Sequence, residues 1–139
     1  MNIEYVEATP DIQTYYELRD SVGWNNFCIE QTELALRDRK LFVLAKDCDK
    51  YVAMGSVVGD GMYYTIVDVV VRPEYQGKKI GATIVNKLVE LIIKNIPEGG
   101  RTSIQLIAAP GKEEFYVKQG FDILPTKDSG AALRKIIYT

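Results

Sequence analysis

The sequence predicts an α/β (α+β) fold, a single mixed sheet with helices on both faces. Three observations predict it. Strand-like apolar runs alternate with stretches that carry helical stripes. A hairpin signal, Gly59-Asp60-Gly61, joins two of the runs in antiparallel fashion. A helix-length connection joins two others, and a crossover of that length makes its strands parallel.

The elements follow in order. Ile3 to Ala8 alternates weakly and reads as a strand. Thr9-Pro10-Asp11 starts a helix, with Thr9 as cap and Pro10 at the first helical position. That helix is expected to reach about Asp20, with Ile12, Tyr15, Tyr16 and Leu18 as packing residues. After a loop from Ser21 to Asn26, a second helix is expected over residues 29–37. Strands are expected over residues 41–46, 51–58 and 62–71, with a turn at Asp47-Cys48-Asp49-Lys50. A long helix is expected over about 77–95, its stripe being Ile80, Ile84, Leu88, Leu91 and Ile92. Pro97-Glu98-Gly99-Gly100 breaks the chain before a strand over 102–108. Pro110-Gly111 opens a short helix through Lys118, closed by Gly120. Residues 121–124 and 133–138 read as two final strands. No repeat or linker interrupts the 139 residues, which suits one domain.

The stretch from Val69 to Ala82 organises the rest. Val69, Val70 and Val71 suit a strand covered on both faces, and Pro73 ends it. A turn with Gly77 and Gly81 then feeds the long helix. Free backbone N–H groups at a helix start make a site for phosphate, and Lys78 and Lys79 add positive charge. The plainer alternative is that both glycines only let helix and sheet approach. No Walker sequence ending Gly-Lys-Ser/Thr and no full Gly-x-Gly-x-x-Gly is present.

Gln76-Gly77-Lys78-Lys79-Ile80-Gly81 resembles the Gln/Arg-x-x-Gly-x-Gly/Ala pyrophosphate loop of the GNAT superfamily of N-acetyltransferases. Lys79 stands where that loop has its first glycine. Phe115-Tyr116-Val117-Lys118-Gln119-Gly120-Phe121 resembles the family's Phe-Tyr-x-Lys-x-Gly-Phe segment, whose tyrosine lies beside the coenzyme A sulfur. The two motifs occur in the family's order and cover roughly residues 65 to 124. The resemblance implies the GNAT fold: a mostly antiparallel sheet whose central parallel pair splays to admit acetyl-coenzyme A. It implies that backbone groups around Val69, Val70 and Val71 bind the pantetheine arm. It implies that N–H groups of Gly77, Lys78, Lys79, Ile80, Gly81 and Ala82 hold the pyrophosphate. Ala109 falls where many members carry an asparagine on the cofactor, so that contact is not expected.

The implied reaction is acetyl transfer from acetyl-CoA to a primary amine of a small molecule or peptide, by direct attack in a ternary complex. An aliphatic amine is only about one part in two thousand neutral at pH 7, so a deprotonation route is needed. Asp68 is the first candidate base; Asp60, Glu7, Glu113 and a water chain are others. Tyr116 is the candidate general acid for the leaving thiolate, or else packs on the cofactor. The acceptor pocket is expected to draw on Trp24, Asn25, Tyr63 and Tyr64, with Trp24 equally suited to the core. The alternative function is a catalytically weak coenzyme A-binding sensor or interaction domain. A third reading is another α/β nucleotide binder.

Composition narrows the partners. Seventeen basic against 19 acidic residues, net −2, argue against a nucleic-acid binder. The absence of histidine excludes Ser-His-Asp and Cys-His catalysis and the usual zinc sites, and the transfer needs no metal. Cys28 and Cys48 lack Cys-x-x-Cys spacing and read as free thiols. No apolar run approaches a membrane span and no signal pattern opens the chain, so a cytoplasmic location is expected. Homodimers are frequent in the family, and a dimer is expected weakly.

Overall fold

A computed structural model describes residues 1–139. They fall into two compact units, residues 1–107 and residues 108–139. The first unit holds the sheet. Its elements are β1 (Ile3–Glu7), α1 (Ile12–Ser21), α2 (Ile29–Asp38), β2 (Leu41–Asp47), β3 (Lys50–Gly59), β4 (Tyr63–Val71), a 3-10 turn (Pro73–Tyr75), α3 (Ile80–Lys94) and β5 (Ser103–Gln105). The strands lie in the order β1-β2-β3-β4-β5. Neighbours are antiparallel except β4 and β5, which are parallel, as the crossover through α3 requires.

Strand alternation sends side chains to two covered faces. On one face Tyr15, Leu18 and Leu36 of α1 and α2 pack with Phe42, Leu44, Met54 and Val70 of the sheet. On the other lies α3, whose Ile80, Ile84, Val85, Leu88 and Ile92 are all buried. Leu91 is only half-buried and Val85 takes its place in the stripe. Each fully buried aliphatic side chain contributes about 1.5–3 kcal/mol. The close approach of α3 depends on Gly55, where a Cβ would lie 2.6 Å from Ile84 Cγ2.

Several expectations need correction. The strand expected over 102–108 is only Ser103–Gln105. The cap of α1 is Asp11, not Thr9: its Oδ1 accepts the Thr14 N–H at 2.8 Å. A carboxylate on the free N–H groups of a helix start satisfies the donor and the dipole together. The two strands expected over 121–124 and 133–138 do not form, and nothing after Val117 is helix or strand. Strand propensity expresses itself only where a ladder and a face to bury are present. Here Ile123, Leu133, Ile137 and Tyr138 stay exposed.

In the second unit α4 (Glu113–Val117) begins after Lys112, later than Pro110-Gly111 suggested. The Gly120 N–H closes the turn on the Val117 carbonyl at 3.0 Å, and Phe121 N–H returns to Tyr116 O at 3.2 Å. No helix of the chain is long and apolar enough to cross a membrane.

Candidate active site

The parallel pair is short. β4 and β5 match at Tyr63–Ser103, Tyr64–Ile104 and Thr65–Gln105, and no further. From Ile66 to Val71 the outer edge of β4 has left its partner strand. Over the same stretch β4 carries a bulge. Met54 pairs Val70 and Ser56 pairs Val67, so Asp68 and Val69 together stand opposite Gly55. Asp68 takes the left-handed conformation this requires, with φ 55°. Aspartate tolerates that region better than most residues, though at a cost of about 1–3 kcal/mol unless the surroundings hold it.

The surroundings do hold it. Asp68 Oδ1 accepts from Arg19 Nη1 at 2.5 Å, and Oδ2 accepts from Tyr15 OH at 2.6 Å and Arg39 Nη1 at 2.9 Å. Arg39 Nη1 also donates to Ser56 Oγ at 2.6 Å, on the strand facing the bulge and next to Gly55. The arginine and aspartate side chains are each 9% exposed. Burial, then the Asp68 charge, pushes the Tyr15 hydroxyl up to about 12, so it stays protonated and donates. Both oxygens of Asp68, the candidate base, are thus taken up by arginine and tyrosine donors, and the carboxylate anchors the bulge.

Downstream of β4 the chain forms the expected loop. Gln76 Nε2 donates to Val71 O at 2.9 Å and its N–H to Pro73 O at 3.2 Å. Gly77 turns at φ 77°, and Lys79, the residue before α3, at φ 65°. Lys79 thus adopts a glycine-like backbone at the position where the resembling loop carries glycine. The first N–H of this segment to find a backbone acceptor is that of Thr83, on Lys79 O at 3.1 Å. The N–H groups of Gly77, Lys78, Lys79, Ile80, Gly81 and Ala82 have no backbone partner. They open at the positive end of a 15-residue helix, with the Lys78 and Lys79 side chains exposed beside them. This donor set fits a diphosphate.

The other expected residues separate. Trp24 is half-buried, Asn25 is exposed, and both belong to the loop between α1 and α2. Tyr63 is 60% exposed but Tyr64 only 3%, because alternation along β4 turns its ring into the core. Tyr64 is therefore a core residue and not a substrate contact. Val70 is likewise buried, at 2%, so what it can offer a ligand is backbone. Tyr116 lies in the second unit, edge-on to Phe115 at 4.9 Å and Phe121 at 6.1 Å. Burial raises its hydroxyl above the ordinary tyrosine value.

Arg19, Arg39 and Tyr15 escaped the sequence reading as site residues. A signal existed for one of them. Tyr15, Leu18 and Arg19 share one face of α1 at spacings of three and four, so Arg19 sits on a stripe that must be buried. A buried arginine demands an anion. Nothing local indicates that Asp68 supplies it.

A strand freed from its parallel neighbour leads into a loop of free N–H groups, an α/β arrangement able to hold an extended ligand that ends in a phosphate. Comparison with known proteins narrows the class. A family model described as acetyltransferase (GNAT) domain matches residues 37–123. The uncharacterized N-acetyltransferase ycf52 of Pyropia yezoensis is 30% identical over 124 residues, 84% of this chain and 69% of that protein. A probable acetyltransferase of meticillin-resistant Staphylococcus aureus superposes with a TM-score of 0.82 at 31% identity, covering 97% of this chain and 100% of the other. A GNAT family acetyltransferase of Streptococcus pneumoniae gives 0.77 at 27% identity, covering 99% and 98%. The chain belongs to the GNAT superfamily of N-acetyltransferases.

Proposed function

We propose that the chain transfers the acetyl group of acetyl-CoA to a primary amine of a small molecule or peptide, by direct attack within a ternary complex. One observation carries this reading. The unpaired edge of β4 over residues 66–71 runs into the unpartnered N–H groups of residues 77–82. An extended pantetheine arm can add to such an edge as a strand does, with its diphosphate on the loop.

The thioester supplies an activated acetyl group. Val69, Val70 and Val71 bind through their backbone, and a backbone N–H near Val69 or Val70 stabilises the oxyanion that forms when the amine attacks. As the carbon–sulfur bond breaks, the sulfur keeps the electron pair and Tyr116 OH donates a proton to it. The raised hydroxyl value keeps that proton in place at neutral pH. The acceptor ammonium first gives a proton to water, since Asp68 is committed to arginines; the neutral amine then attacks, and the nitrogen loses its second proton to water as the adduct collapses to the amide. Trp24, Asn25 and Tyr63 border the acceptor.

Lys79 in a left-handed conformation and Ala109 in place of an amide side chain favour a second reading, a coenzyme A-binding sensor or interaction domain with weak turnover. Two measurements decide. Acetyl-CoA should raise the melting temperature and ATP should not; stabilisation by ATP alone would refute coenzyme binding. Thiol release should then appear with a member of a panel of polyamines, aminoglycosides, arylalkylamines and peptides. Binding without release across that panel would favour the sensor.

A further inference from the structure

One side chain spans the loop between α1 and α2 and the bulge of β4. Arg19 is 7% exposed. Its Nη1 donates to Asp68 Oδ1 at 2.5 Å. On the loop side, Nε donates to Asn26 Oδ1 at 2.9 Å and Nη2 to the Asn25 carbonyl. The guanidinium carbon lies 5.3 Å from the Trp24 ring centroid and 5.5 Å from that of Phe27. All three nitrogens are thus committed, one to the sheet and two to the loop, and two aromatic faces of the loop close on the same group. Asn26 Nδ2 returns to Asp20 Oδ1 at 2.8 Å, which ties the loop back to the end of α1. Asp68 is braced on its far side by Tyr15 and Arg39. A planar fork with five donors can make these contacts together, whereas an ammonium point charge cannot.

We propose that Arg19 is a positioning residue for the acceptor amine. It holds loop residues 24–27 in register with the part of β4 that has separated from β5, and so sets where the amine stands relative to the thioester carbonyl. The proposal rests on the acetyl-transfer reading above. Arg19 reaches the β4 edge only through the Asp68 side chain, and Tyr15 and Arg39 still hold that carboxylate when Arg19 is replaced. The bulge and the N–H groups of residues 77–82 therefore keep their places, and loosening the clamp acts on the loop and the acceptor rather than on coenzyme binding. A misplacement near 1 Å can lower the rate by about a hundredfold.

The test compares wild type, Arg19→Lys and Arg19→Ala, with acetyl-CoA and three amine probes: spermidine, tyramine and a glycyl peptide. The expected result is an acceptor KM raised about tenfold in both variants, with the KM for acetyl-CoA unchanged, and partial recovery of Arg19→Ala by added guanidinium ion. Arg19→Lys keeps the charge and most of the packing, so an altered acceptor KM in that folded variant separates positioning from loss of fold. Equal rises in both KM values, or no change in either, would overturn the proposal. A wild-type chain that binds acetyl-CoA and acetylates none of the probes counts against the transferase reading instead. The clamp is then judged by Trp24, the only tryptophan. Its quenching by acrylamide should rise in Arg19→Lys, and quenching equal to wild type overturns the clamp.

Discussion

Replacing Gly55 by alanine adds one methyl group where α3 packs directly on β3. That carbon would lie 2.6 Å from Ile84 Cγ2, 3.2 Å from Leu88 Cδ1 and 3.6 Å from Val69 Cγ2. Ile84 is β-branched and fully buried, so its Cγ2 cannot swing aside. Overpacking of this kind costs about 1–3 kcal/mol. Lower backbone entropy in the unfolded alanine chain offsets roughly 0.4–1 kcal/mol of that. The net expectation is a loss of about 1–2 kcal/mol, or a melting temperature lower by roughly 3–7 °C for a chain of this length. Urea unfolding of Gly55→Ala, Ile84→Ala and the double variant measures it. Ile84→Ala alone should cost about 2–5 kcal/mol. The double variant should cost less than the sum, because the clashing Cγ2 is gone. Strict additivity, or a Gly55→Ala chain as stable as wild type, would refute the packing argument. The same displacement of α3 should carry the 77–82 loop with it and weaken acetyl-CoA binding.

Four further outcomes are expected. Asp68→Asn leaves two buried guanidiniums without their counter-charge, so it should lose about 3–5 kcal/mol in urea unfolding; a chain of full stability that lost only turnover would restore Asp68 as the base. Tyr15 has a folded value near 12 against about 10 unfolded, so its stabilisation is whole below pH 10 and is lost as pH rises through 12. Circular dichroism should show a shallower alkaline loss for Tyr15→Phe, and identical alkaline limbs would contradict the Tyr15–Asp68 pairing. Asp11→Ala should destabilise by about 1 kcal/mol. The Thr14 N–H holds the Asp11 carboxyl below its usual range, so the wild-type advantage in a pH series should be whole above about pH 4 and fade as pH falls below it. Tyr116→Phe should lower turnover by roughly tenfold to a hundredfold with acetyl-CoA affinity unchanged in titration, and unchanged turnover would remove its role as acid.

Much of the frame was legible because it is written in local chemistry. The stripe of α3, the Gly59-Asp60-Gly61 hairpin and the turn before Ile80 each need only neighbours in the chain. Errors fell where two local solutions compete or where a partner is needed. Thr9 and Asp11 both suit a helix cap, and the charged one won by reaching the Thr14 N–H. Residues 121–124 and 133–138 have strand composition but no ladder to join. Tyr63 and Tyr64 are adjacent aromatics, and only the phase of β4 shows which is exposed.

By itself the sequence determined the alternation of strands and helices, the parallel crossover through α3 and the place of the glycine turn that opens α3, because period, turn chemistry and helix-end donors act over a few residues. Tertiary structure alone decided which groups Asp68 meets. Its partners Arg19 and Arg39 lie 49 and 29 positions away. A buried charge is assigned its partner by the packing of distant elements, so no local pattern announces whether a carboxylate will take a proton or hold a bulge in place.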